Sequence, residues 1–97
     1  MNLRYARTFV TVAELGTVSK AAERLRIAQP ALSRQISGFE QELGLKLFDR
    51  IAGRLVLTGE GEELLRDCRS LLNYASALGE RAQLLRRGDT GVPVLPR

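Results

Sequence analysis

The sequence predicts a mainly α-helical fold: three short helices, a two-stranded hairpin, and one long helix to finish. Three observations predict it. Apolar residues recur at helical spacing in three segments before residue 44. The period then shortens to two around residues 45–57. From Leu64 onward an apolar seam steps by fours and threes through three heptads. At 97 residues and 44% apolar content the chain has the size of one domain and the composition of a folded rather than a disordered one.

In the first helix Leu3, Ala6, Phe9, Val10 and Ala13 share a face, and Gly16 is placed to stop it. Thr17 then offers a hydroxyl to an orphaned amide at the start of the second helix. Val18, Ala21, Ala22 and Leu25 line that helix's inner face, where the small alanines admit a close neighbour. Only Arg26, Ile27 and Ala28 separate it from the third helical stretch, which opens with Pro30 in its first turn. A plain helical bundle would share this apolar pattern. The tight turn between two short helices favours a helix-turn-helix over about 18–37.

The third stretch, Ala28 to Leu43, buries Leu32, Ile36, Phe39 and Leu43 on one face. Pro30, Arg34, Ser37 and Gln41 fall opposite, with Ser33 at the edge and no carboxylate before Glu40. A guanidinium fork, an amide and hydroxyls suit base edges and phosphate oxygens. Net charge agrees. Residues 1–57 hold nine Lys/Arg against five Asp/Glu, a balance of +4, while residues 58–97 hold six of each.

After Gly44, Leu45 and Leu47 and then Leu55 and Leu57 alternate with other residues around Ala52-Gly53. This predicts a hairpin over about 45–57, with Arg50 and Arg54 flanking its turn. On an isolated hairpin such arginines would simply be solvated; beside a helix-turn-helix they suit a DNA-touching wing. Thr58 can cap the last helix, and Glu60, Glu62 and Glu63 suit its positive end. Its seam is Leu64, Cys68, Leu71, Ala75, Leu78, Ala82 and Leu85. Over 59–87 the helix would be about 43 Å long, too long for its own core to cover, so the distal leucines call for a partner. Cys68 on that seam reads as a small buried apolar residue. Residues 88–97, GDTGVPVLPR, read as a flexible linker.

Other function classes find little support. A single cysteine and no histidine exclude an internal disulfide and speak against a transition-metal site, and fit a cytoplasmic protein. Arg4 and Arg7 interrupt the only stretch where a secretory signal would lie, and no apolar run reaches membrane-spanning length. Neither a phosphate loop nor a base near Ser33 suggests an enzyme, and no cofactor is expected. The rival to DNA binding is a helical protein–protein interaction module with an incidental basic face.

Taken in order, Ala21-Ala22-Glu23-Arg24-Leu25, Gln29-Pro30-Ala31-Leu32-Ser33-Arg34-Gln35-Ile36, Glu40-x-x-Leu43-Gly44-x-x-Leu47-Phe48-x-Arg50 and Leu57-Thr58 with Gly61 form a specific set. It resembles the N-terminal domain of the LysR-type transcriptional regulators, over residues 1–87. The resemblance implies a winged helix-turn-helix (residues 1–58) and a linker helix (59–87) pairing antiparallel with its mate. It further implies homodimers or tetramers on interrupted palindromes of double-stranded DNA near bacterial promoters. A small-molecule effector would bind a C-terminal domain that this chain does not contain. By position, Gln29, Pro30, Ser33 and Arg34 resemble major-groove contacts, with Ser37 on the same face; Thr17 and Arg50 resemble phosphate contacts, and Arg54 a wing contact. Four departures stand out. The hairpin tip reads Gly53-Arg54 rather than arginine before glycine, which moves Arg54 off the usual minor-groove position. Ala6 and Phe39 replace leucines, an exchange of volume that requires the two sites to meet. Ala28 lacks the capping hydroxyl of the usual serine. Gly91-Val92-Pro93-Val94-Leu95 only loosely matches the strand that opens an effector domain.

Overall fold

A computed structural model describes residues 1–88; the expected linker, beyond Gly88, lies outside the described residues. The element order is α1 (Leu3–Leu15), α2 (Val18–Leu25), α3 (Gln29–Leu43), β1 (Phe48–Ile51), β2 (Arg54–Leu57) and α4 (Gly59–Arg87).

Local chemistry sets most of these boundaries. The Asn2 side chain caps α1 by accepting from the amides of Arg4 and Tyr5, and Gly16, left-handed at φ 82°, ends it. Thr17 accepts from the Lys20 amide at 3.1 Å to start α2. Ala28 stands at the N-cap of α3 without any side-chain bond, leaving Pro30 in the first turn to favour the start. Thr58 accepts from the Gly61 amide at 2.9 Å to start α4.

The core is built on aromatic rings. Phe9 meets Phe39 at 6.0 Å and Phe48 at 5.5 Å between centroids, and Tyr5 lies 6.5 Å from Phe39. Ala6 and Phe39, the two exchanged positions, are both fully buried in this one cluster. Leu3 departs from expectation. It stays 43% exposed while Ala6, in the same turn of α1, is fully buried.

The hairpin is shorter than the leucine alternation predicts. Leu45 is exposed and Leu47 is fully buried, yet neither joins a strand. The amides of Leu47 and Phe48 donate instead to Glu40 Oε2, at 2.8 and 3.3 Å. The carbonyl of Leu47 accepts from the Thr58 amide at 3.0 Å. The Leu47 amide is therefore spent on α3, and only its carbonyl carries the register on to Thr58, so regular strand pairing begins at Phe48.

The first turns of α4 complete the core through Gly61, Leu65 and Cys68. A Cβ on Gly61 would sit 2.2 Å from the Leu47 carbonyl oxygen, so only glycine admits this approach. Arg69 and Glu14 add a 3.0 Å ion pair between α4 and α1. The helix then leaves the head. The molecule measures 61 × 26 × 19 Å with a radius of gyration of 17.1 Å, against about 13 Å for a compact chain of this size.

Candidate nucleic-acid interface

The eight side chains expected to meet DNA come from the start of α2, the outer face of α3 and the hairpin, and all eight are exposed. Thr17, Gln29, Ser33, Arg50 and Arg54 line one cleft between these three elements. Ser33 and Arg50 also line an adjoining cleft with Ser37. Pro30 and Arg34 stand outside both clefts, on the ridge of α3. Among the described residues the only ion pairs are Arg69 with Glu14 and the N-terminus with Glu42, so Arg34, Arg50 and Arg54 are free to meet an external anion.

Strand register fixes where the wing arginines point. Phe48 pairs with Leu57, Arg50 with Leu55, and Ile51 with Arg54. Residues two apart or directly opposite share a face, so Arg50 lies on the inward face with Phe48. Arg54 lies on the outward one with Ile51. Ala52 and Gly53 are both left-handed, at φ 51° and 76°, as a two-residue primed turn requires. Arg54 therefore opens β2 and is not part of the turn itself.

Three contacts hold the parts in place. Glu40 ties α3 to the base of the wing. The Thr8 hydroxyl donates to Gln35 Oε1 at 2.5 Å and fixes the roll of α3 against α1. The glycine at 61 lets α4 close over Leu47. Sequence reasoning did not single out Lys46, which lines the second cleft beside Ser37 and Arg50; its one signal was membership of the basic half.

On α4 the predicted seam divides between two faces. Gly61, Leu65, Cys68 and Leu72 point into the head. At about 100° per residue, Leu71, Tyr74, Leu78 and Leu85 centre on a line roughly 120° away. Cys68, expected at an interface between copies, thus belongs to the domain's own core and is only 6% exposed. Its burial, with some help from Asp67, pushes the thiol pKa up and disfavours a reactive thiolate. Tyr74, which the heptad pattern missed, is 70% exposed beside Leu78 and Leu85.

The family model for "Bacterial regulatory helix-turn-helix protein, lysR family" matches residues 3–62. The chain belongs to the LysR family. This is a family of transcriptional regulators, not of enzymes. Among LysR-type relatives, the chain is 42% identical over 91 residues to the HTH-type transcriptional regulator TfdT of Cupriavidus pinatubonensis (strain JMP 134 / LMG 1197). That match covers 94% of this chain and 40% of TfdT, so the chain spans less than half of that relative. The crystal structure of the BenM DNA-binding domain with catB site 1 DNA superposes with a TM-score of 0.86 at 38% identity, covering 91% of this chain and 95% of that one. The CbnR DNA-binding domain in complex with DNA gives 0.83 at 35% identity, covering 89% and 99%. The shared LysR architecture is the winged helix-turn-helix followed by a long helix.

Proposed function

We propose that this chain is a sequence-specific reader of double-stranded DNA that works as a homodimer in bacterial transcription regulation. The observation that carries the reading is the outward face of α3. It is exposed, free of carboxylates up to Glu40, and flanked by clefts that gather Thr17, Ser33, Ser37, Arg50 and Arg54. The likeness to domains solved on DNA supports the same docking. In this reading Gln29 pairs with an adenine edge, Arg34 with guanine or phosphate, and Pro30 touches a thymine methyl; Ser33 and Ser37 serve either partner. Thr17, Arg50, Arg54 and Lys46 hold the backbone and set orientation.

Dimerisation uses one stripe of α4: half-buried Leu71 and Ala75 with exposed Tyr74, Leu78, Ala82 and Leu85. Leu78 and Leu85 are 57% and 54% exposed, more apolar surface than a lone helix end leaves in water without cause. Leu64, nearer the head, packs against the core and contributes only at the margin of this stripe. Acidic Glu60 and Glu62 at one end and basic Arg86 and Arg87 at the other make an antiparallel pair complementary in charge. Two heads held apart by paired stems would read an interrupted palindrome. The full protein would act in the cytoplasm, where its DNA lies, and carry its small-molecule effector site and any tetramer contacts beyond this chain.

Selection of bound sequences from random duplex DNA tests the reading. The expected result is an enriched inverted repeat with a fixed gap, bound with a steep salt dependence. Absence of any enrichment, with no duplex retained at low salt, would instead favour a protein-interaction module.

A further inference from the structure

The recognition helix has two flanks. Around its axis, Ser33, Ile36, Ser37 and Glu40 face the wing, and Gln35 lies roughly 140° from that side. There a third cleft is lined by Arg4, Arg7 and Thr8 of α1, Leu25 at the end of α2, Ile27 of the turn that follows, and Gln35. Arg4 and Arg7 are exposed. Between Leu25 and Ile27 sits Arg26, also exposed, in the left-handed region at φ 58°.

That conformation costs an L-residue energy that glycine avoids and asparagine tolerates. The fold needs only the backbone here, because the Arg26 amide closes α2 on the carbonyls of Ala22 and Glu23. Among the described residues the guanidinium has no ion-pair partner, and neither do those of Arg4 and Arg7. Strain kept where glycine would fold more cheaply points to a task for the side chain. The position is suggestive in its own right: Arg26 precedes Gln29, the first residue of α3, by three residues.

We propose that Arg26 is a DNA-phosphate contact and forms, with Arg4 and Arg7, a basic shoulder gripping the backbone on the side of α3 away from the wing. The recognition helix is then bracketed by cations on both flanks. This inference rests on the reading of α3 as the DNA-recognition helix.

The test compares the whole 97-residue chain with its R26G, R26K and R4A/R7A variants. Melting is measured alongside affinity for a selected duplex and a scrambled one of equal length, across a salt series. Removing the strain should raise the melting temperature of R26G by about 4 °C. Removing the charge should weaken its binding to both duplexes by the same factor. The slope of log affinity against log salt should fall by about 0.9 per protomer in R26G and by more in R4A/R7A, and stay unchanged in R26K. R26G with a wild-type salt slope would overturn the shoulder, as would R26G melting below the wild type, since the fold would then need the side chain. Equal affinity of the wild type for both duplexes would instead sink the recognition-helix reading beneath it.

Discussion

Replacing Glu40 with alanine tests how the reading helix and the wing are held together. Its carboxylate accepts from the Leu47 amide at 2.8 Å and the Phe48 amide at 3.3 Å. Leu47 is fully buried and Phe48 is 5% exposed, so neither amide has ready access to water. A buried donor left without a partner costs about 1–3 kcal/mol. The Phe48 bond is long, and Glu40 itself is only partly buried. The combined loss should therefore fall near the low end, at about 2 kcal/mol. For a domain of this size that lowers the melting temperature by about 8–16 °C. Glu40→Gln keeps a neutral acceptor on the same stem and should lose only about 1 kcal/mol. Thermal unfolding followed by circular dichroism gives the first number. DNA affinity measured well below both melting temperatures shows whether a loosened wing also weakens binding in Glu40→Ala. If Glu40→Ala melts within about 2 °C of the wild type, the wing is held by packing alone and the argument fails.

Four further outcomes follow from the same geometry. Gly61→Ala must push its new Cβ away from the Leu47 carbonyl, 2.2 Å distant in the unrelaxed backbone; a loss of about 2 kcal/mol or more is expected in denaturant titration. Ala52→Asn relieves the left-handed strain at φ 51° and creates the Asn-Gly pair this turn favours, so the domain should gain about 1 kcal/mol. Arg34→Ala should weaken the selected site roughly 10- to 100-fold and scrambled DNA far less, read by fluorescence anisotropy; equal loss on both would make Arg34 a backbone contact. Leu78→Glu should leave the melting of the head unchanged and shift sedimentation to a monomer; an intact dimer would rule out the α4 stripe.

The sequence revealed what local chemistry decides. Thr17, Thr58, Gly16 and the bounds of α4 were legible because caps and periodicity act within a turn or two of chain. The start of the wing was not, because Leu45 and Leu47 alternate as a strand would while Glu40, seven residues before Leu47, captures the backbone. Cys68 fits the heptad count yet faces inward, since the count cannot say which side of a helix the head has already taken. Tyr74 lies one residue off the seam and was missed for the same reason. The left-handed turn at Arg26 gave no sign either, because arginine carries none of the usual marks of that conformation. The eight side chains proposed to meet DNA were named individually from pattern and resemblance. The gathering of six of them into two adjoining clefts, with Lys46 beside them and Pro30 and Arg34 left on the ridge of α3, depends on how three elements meet.

One consequence follows from the way α4 begins. Its first turns are core residues of the head and its last turns are the proposed stem, with no loop between them. Head and stem are thus one rigid lever about 43 Å long. In a dimer joined at the stems, turning a stem by only 10° would swing its reading head by about 7 Å, or roughly two base-pair steps. A signal reaching the stems would then need no change in the reading surface itself. Altering their angle alone would change which spacing of half-sites the two heads can grip together.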